Sequence, residues 1–319
     1  RLAECFPLAV LSPSHSIMTD FIRQVRTMLN TAGEQKGRDL ILGVRVLQQL
    51  KGCQQVSLDI PTWITEGLID YVAPGDFGFT DFNETYEDFT SIARAHNCYV
   101  YPQLQPRLSI DDTDRIMEIA QYRAAIQNFY GAGADGFSTQ NFFFHWGPKF
   151  DTPGESGAEI PAHYPSALNY LEAFKNPETI ANTLDRHYTF IPLWPYQRGL
   201  GQWYEREAIT LSRNKIGQRE TFRFRICENL PHEPAVSETR MAFFAQGLSQ
   251  NDVLAVEINN TQIPAEQQQW TWPDNDGQSP SCTIALSSPP FVFGDNHLAL
   301  TLSDSTDETD GEIVIEQVE

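Results

Sequence analysis

The sequence is short of positive charge. Its 319 residues hold 22 lysines and arginines against 42 aspartates and glutamates, a formal net charge of −20. That field repels nucleic acid and anionic membranes, so neither is expected as a partner. A polyanionic ligand stays compatible with it where a local arginine outweighs the global field within a screening length of about 8 Å. Cysteine is scarce: Cys5, Cys53, Cys98, Cys227 and Cys282 are odd in number and widely spaced, with no C-x-x-C. Common zinc and thioredoxin-like patterns are thereby excluded. Buried free thiols are expected, with one long-range disulfide as the alternative. No run reaches the roughly 18 apolar residues of a membrane helix. Neither G-x-S-x-G nor H-E-x-x-H occurs, and the histidines are scattered, so serine-triad and metal chemistry find no support and no cofactor is expected. No signal peptide is visible. The chain starts at Arg1 without a methionine, which leaves a removed leader or an upstream segment open.

What is present divides at about residue 187. Before it, strands and helices alternate. Ile17, Phe21, Ile22, Val25, Met28 and Leu29 recur at helical spacing, with Gly33 or Gly37 as the stop. The run Leu40-Ile41-Leu42-Gly43-Val44-Arg45-Val46 is almost continuously apolar, as in a parallel strand covered on both faces. The spacing then predicts a helix over 59–68, a strand at Tyr71-Val72-Ala73-Pro74, and a helix over 85–95. A strand at Cys98-Tyr99-Val100-Tyr101 follows, then a helix opened by Ser109 and closed at Gly131-Ala132-Gly133. A strand over 135–144 and a helix over 164–186, interrupted by Pro177, end this part. Leu8-Ala9-Val10-Leu11 reads as the end of one more strand.

Four strand–helix units in a row predict a parallel α/β architecture, and about 30 residues per unit fits a (β/α)₈ barrel. The rival is an open doubly wound sheet, which usually announces itself by a Gly-rich turn; no G-x-G-x-x-G or G-x-x-x-x-G-K-S/T occurs. A full barrel needs about 250 residues, and 1–186 holds the C-terminal half of one. An upstream segment, or another chain, would have to complete it unless the sheet is open. Beyond 187 alternation takes over: Phe222, Phe224 and Ile226 point one way, Arg223 and Arg225 the other. Similar short runs lie at 241–245, 253–258, 282–286, 298–302 and 313–318. Residues 187–319 are therefore expected to form a β-sandwich or jelly roll.

The stretches Ile41-Leu42-Gly43-Val44-Arg45-Val46, Leu58 to Asp70, and Gly131-Ala132-Gly133-Ala134-Asp135-Gly136-Phe137 leading into Asn141-Phe142-Phe143 resemble bacterial glycoside-hydrolase-like barrel proteins of the family-10-like group. Trp63 to Asp70 is similar to a phrase that many clan-A glycosidases carry before their sixth strand. The likeness covers about 1–186, and the sandwich resembles the accessory β-domains that follow such barrels. It implies a carbohydrate substrate; the location stays open, with a bacterial periplasmic or extracellular setting favoured. It also fixes register, making the strands at 40, 71, 98 and 135 the fifth to eighth. Family members carry the acid after strand four and the nucleophile after strand seven. Here strand four offers only Glu4, in Ala3-Glu4-Cys5. Strand seven ends in Tyr101-Pro102-Gln103-Leu104-Gln105, with amides where a carboxylate is expected.

Glycoside cleavage needs two carboxyl groups, and barrel sites sit at the C-terminal ends of strands. Glu4, Asp76 and Asp81 meet that rule and form the candidate acid/base set. Each has a plainer reading: a surface glutamate near a chain end, a turn aspartate bonding its own backbone, and a loop cap. Arg45, alone among apolar residues, is expected to be buried and to line the barrel mouth, holding a ligand carboxylate or orienting an acid. Its plainer role is an internal salt bridge with Asp76 or Glu4. Gln103, Gln105 and Arg107 after strand seven, and Gln140, Asn141, His145 and Trp146 after strand eight, suit hydrogen bonding and stacking to a sugar. Trp270 and Trp272 form either a sugar-stacking patch or core packing. The leading expectation is a glycoside hydrolase. A non-catalytic sugar-binding protein on a degenerate barrel, and a polysaccharide lyase with Arg45 neutralising its substrate, are the alternatives.

Overall fold

A computed structural model describes residues 13–76, 78–106, 108, 117–140, 166–183, 185–191, 209–228, 239–273, 278–286, 290–305 and 311–319. The described part is mixed α/β. Helix α1 (Pro13–Lys36) buries the face that carries Thr19 and Ile22. Trp63 Nε1 donates to Thr19 Oγ1 at 2.9 Å. Arg26, on the same helix, donates to the carbonyls of Leu68 and Leu40 and to the Asp70 carboxylate, which also accepts from Leu42 N at 2.6 Å. One guanidinium and one carboxylate thus tie the helix to the starts of two strands. The helix stops where Gly37 takes a positive φ of 63°, a conformation open to glycine at little cost.

Strand β1 (Gly43–Val46) pairs in parallel with β2 (Tyr71–Pro74), Gly43 opposite Tyr71 and Val46 opposite Pro74. Between them lie two short helices, α2 (Leu50–Gln55) and α3 (Ile60–Thr65). The latter has Pro61 in its first turn and Asp59 as N-cap, accepting from Thr62 N at 3.3 Å. Helix α4 (Glu87–Arg94) leads to β3 (Tyr99–Val100), which pairs in parallel with β2. Pro102, with no N–H, separates β3 from β4 (Gln103–Leu104). Helix α5 (Ile119–Gly131) opens on a capping box between Glu118 and Gln121 and delivers β5 (Ser138–Thr139), parallel to β4. Bonds from Asp135 N to Val100 O and from Ser138 N to Pro102 O continue the ladder across the proline.

Four extended segments therefore run side by side in sequence order, all parallel. Closure of this sheet into a barrel is not among the described pairings. Side chains alternate between the two faces. Val46, Val72, Val100 and Leu104 are buried in one apolar cluster with Trp63, Phe89, Ile126 and Phe129. Arg45, Tyr71, Tyr99, Tyr101 and Gln103 take the other face, where Tyr99 is 55% exposed. Helices α6 (Ser166–Phe174) and α7 (Pro177–Ala181) follow; Pro177 begins the second and Asn176 caps it.

The remaining strands are antiparallel. They are β6 (Thr210–Ser212), β7 (Arg219–Ile226), β8 (Thr239–Gln246), β9 (Asp252–Ile258), β10 (Thr261–Ile263), β11 (Gln268–Thr271), β12 (Ser281–Leu286), β13 (Gly294–Ser305) and β14 (Glu312–Val318). One sheet runs β10-β9-β13-β7, the other β11-β12-β8-β14-β6. Buried and open positions alternate along β8, β9 and β12, as one-sided burial requires. The buried residues of both sheets share the apolar cluster of the parallel part. Cys53, Cys98, Cys227 and Cys282 are free and buried; Cys5 lies outside the described residues. No described helix is long and apolar enough to cross a membrane.

Candidate functional site

The C-terminal ends of the parallel strands bring polar side chains together. Arg45 comes from β1, Gln48 and Gln49 from the turn after it, and Asp76, Asp81 and Glu84 from the connection between β2 and α4. Gln103 and Gln105 come from β4 and its end, and Gln140 from the end of β5. Close approach makes this possible at Gly75: a Cβ there would lie 2.3 Å from the Gln103 Cβ. Glycine is the one residue that lets β2 turn over that glutamine.

Two groupings form. The first is acidic. Asp81 Oδ1 accepts from Asn83 N at 2.8 Å and Oδ2 from Gln48 Nε2 at 3.3 Å. Glu84, 7% exposed, accepts from Gln49 Nε2 and from Thr85 N, each at 3.0 Å. Burial, reinforced by the charge of Asp81, pushes the Glu84 carboxyl up to about 8. Burial also raises Asp81; the Asn83 N–H and the charge of Arg223 oppose that rise, while Asp76 adds to it. A carboxyl held protonated near neutrality beside a second carboxyl is the arrangement that acid/base chemistry draws on. Gln48 is 2% exposed, and its Oε1 has no hydrogen-bond partner among the described residues. A ligand hydroxyl would supply the missing donor.

The second grouping is a network of amides around Arg45. Arg45 Nε donates to Gln103 Oε1 at 2.8 Å, and its NH2 group donates to Gln140 Oε1. Gln103 Nε2 donates to Gln140 Oε1 and to the Asp76 carbonyl. Gln105 Nε2 reaches the same two acceptors, at 2.6 and 3.0 Å. The expected burial of Arg45 gives way here, and no bond joins it to the Asp76 carboxylate among the described contacts, while Glu4 lies outside the described residues. Arg45 is exposed, and its described partners are amide oxygens. The Arg45 side chain reaches solvent, which screens its charge, so no carboxylate is required beside it.

Of the residues expected from sequence, Arg45, Asp76, Asp81, Gln103, Gln105 and Gln140 meet at this end of the sheet. Asp76 and Asp81 also make the turn bonds of their plainer readings, to Gly78 N and Asn83 N. Glu4, Arg107, Asn141, His145 and Trp146 lie outside the described residues. Sequence reasoning missed Gln48, Gln49 and Glu84. The one signal for Glu84 was its place three residues after Asp81, in the connection between β2 and α4. Trp270 stacks on Trp272 and meets the buried Phe243 edge-on, both tryptophans being half-buried.

No family model matches the sequence, and no curated protein matches it. Solved structures with some likeness include the glycoside hydrolase BuGH86 in complex with neoagarooctaose. That match has 10% identity, covers 98% of this chain and 69% of that one, and has a TM-score of 0.25. Another is a two-domain esterase active on acetylated mannans, at 8% identity, 86% and 77% coverage and a TM-score of 0.24. Likenesses at that level carry no argument about fold or function.

Proposed function

We propose that the protein is a glycoside hydrolase acting on a poly- or oligosaccharide, with Glu84 as general acid and Asp81 as the second carboxyl of the pair. The observation that carries this is the Asp81–Glu84 pair at the C-terminal ends of parallel strands, one carboxyl retaining its proton near neutral pH. Glycoside cleavage requires one carboxyl to protonate the leaving oxygen and a second to act as base or nucleophile. Gln48, Gln49, Gln103, Gln105 and Arg45 around them supply the amide and guanidinium donors that hold sugar hydroxyls. In this reading the four parallel segments are strands five to eight of a (β/α)₈ barrel over 1–186. The two antiparallel sheets are then an accessory β-sandwich over 187–319.

A second reading has a specific observation behind it. Gln103 and Gln105 stand where the resembled family keeps a nucleophile, and both are committed to the Arg45 network. That favours a sugar-binding protein without turnover. A polysaccharide panel, read for new reducing ends and for unsaturated-product absorbance, separates the readings. The hydrolase reading expects reducing ends without absorbance, with Glu84→Gln and Asp81→Asn each slowing release by about 100-fold or more. Absorbance identifies a lyase. Binding without either signal establishes the second reading. Folded variants that keep the full rate remove the pair from the chemistry.

A further inference from the structure

An amide oxygen has two lone pairs to offer. Gln140 Oε1 is claimed by three donors: Arg45 NH2, Gln103 Nε2 and Gln105 Nε2. The donors come from the ends of two strands, β1 and β4, and their placement does not depend on Gln140. Gln103 is fixed by Arg45 Nε at its oxygen and by the Asp76 carbonyl at its nitrogen. Gln105 is fixed by the same carbonyl, and both glutamines are buried, at 3% and 1% exposure. Asp76 offers the two amides its backbone oxygen, while its Oδ1 accepts from Gly78 N. One cationic and two neutral donors thus converge on a point that a neutral oxygen only partly satisfies. A carboxylate, with about four lone-pair sites and a full charge, matches that donor set better, and a guanidinium binds it with charge-assisted bonds.

We propose that Arg45, Gln103 and Gln105 form a carboxylate-binding subsite, with the Gln140 amide as its internal stand-in. Taken together with the carbohydrate reading above, on which this last step rests, the ligand is an oligosaccharide bearing a uronic acid unit. Arg45 is exposed and Gln140 half-buried, so among the described residues the subsite opens to solvent on the Arg45 side. An acidic sugar reaches it despite the net charge of −20 because the arginine acts inside the screening length, whereas the global field is largely screened.

The test is a calorimetric titration of the full chain with glucuronate, with glucose as the neutral counterpart and acetate as a carboxylate without a ring. Glucuronate is expected to bind more tightly than glucose. Arg45→Gln is expected to weaken it by about tenfold or more, with Arg45→Lys in between. Gln140→Ala removes the competing amide, so glucuronate binds several-fold more tightly. Gln140→Glu supplies an internal carboxylate, so binding is lost while the melting temperature rises. A residue that merely supports the fold would weaken binding in both Gln140 variants. Acetate binding as strong as glucuronate, and lost in Arg45→Gln, upholds the subsite and counts against the sugar. Equal binding of glucuronate and glucose, indifferent to Arg45, overturns the subsite and leaves the carbohydrate reading standing. Absence of glucuronate binding in folded Gln140→Ala overturns it as well.

Discussion

A carboxyl that keeps its proton in the native state and loses it in the unfolded chain makes stability fall as pH rises. Glu84 is such a group, pushed up to about 8 by burial and by Asp81, against about 4.3 in an unfolded chain. Between those values the native state binds more protons than the unfolded one. The relative stabilisation is complete below the lower value and is lost as pH rises through the upper. The steepest slope is about 1.4 kcal/mol per pH unit, the worth of one proton. Urea unfolding of the wild type is expected to show a lower midpoint at pH 8.5 than at pH 5, and Glu84→Gln to flatten that difference. A slope that survives in the variant would place the proton elsewhere. Burial is the term that composition and spacing do not carry. Asp76 was legible because it follows the end of β2 closely, and Asp81 because it lies in the loop beyond that strand end. Glu84 was not singled out, because nothing in Asn83-Glu84-Thr85 says that its carboxyl is shut off from water. Gln48 and Gln49 were missed for a similar reason: their use depends on the loop after β2 folding back over them.

Elements were more legible than residues, because periodicity reports which face is covered. The strand at Tyr71–Pro74 was read with its observed limits, and β1, β3, α4 and the end of α5 fall within two or three residues of their predicted places. The helix expected to start at Thr85 starts at Glu87 with Tyr86 as N-cap. The Thr85–Asp88 spacing was a weak signal that packing of Phe89 and Tyr86 against the core overrode. Short elements escaped: α2, with one turn and no period, and the strands β6, β10 and β11 of three or four residues. Barrel closure also lies beyond local pattern, since it depends on which edges meet. Where an element turns over the site, a single methyl group is expected to matter. Gly75→Ala places a Cβ 2.3 Å from the Gln103 Cβ and 3.3 Å from its Cα, atoms that cannot swing aside. Overpacking of this kind costs about 1–3 kcal/mol. The variant is expected to melt lower and to lose ligand binding together, because the Asp76 carbonyl moves off Gln103 and Gln105. Loss of stability with binding intact would show that the network tolerates the shift.

Across the whole molecule, the parallel and antiparallel parts are joined by buried polar bonds as well as by one apolar cluster. Asn128 of α5 donates to the carbonyls of Phe82 and Arg225 and accepts from Cys227 N. Asn83 and Arg223 exchange bonds through each other's backbone carbonyls. Beside them Arg186 meets Glu228 through both its Nε and its NH2 group, the side chains 5% exposed each. Tyr188 donates to the same carboxylate at 2.5 Å, and burial together with that carboxylate holds its hydroxyl well above the ordinary range. Replacing such a pair by apolar residues can be neutral, whereas removing one partner strands the other charge without water and costs about 3–5 kcal/mol. Glu228→Gln leaves Arg186 in that position. A link between two weakly coupled parts would, when cut, let them melt separately; a shared core would shift one transition as a unit. The common cluster running from Ile22 to Val318 leads us to expect the second. Scanning calorimetry should show a single endotherm in the wild type and in Glu228→Gln, at a lower temperature in the variant. Two endotherms in the variant would mean that the Arg186–Glu228 pair, rather than the apolar cluster, makes the chain unfold as one.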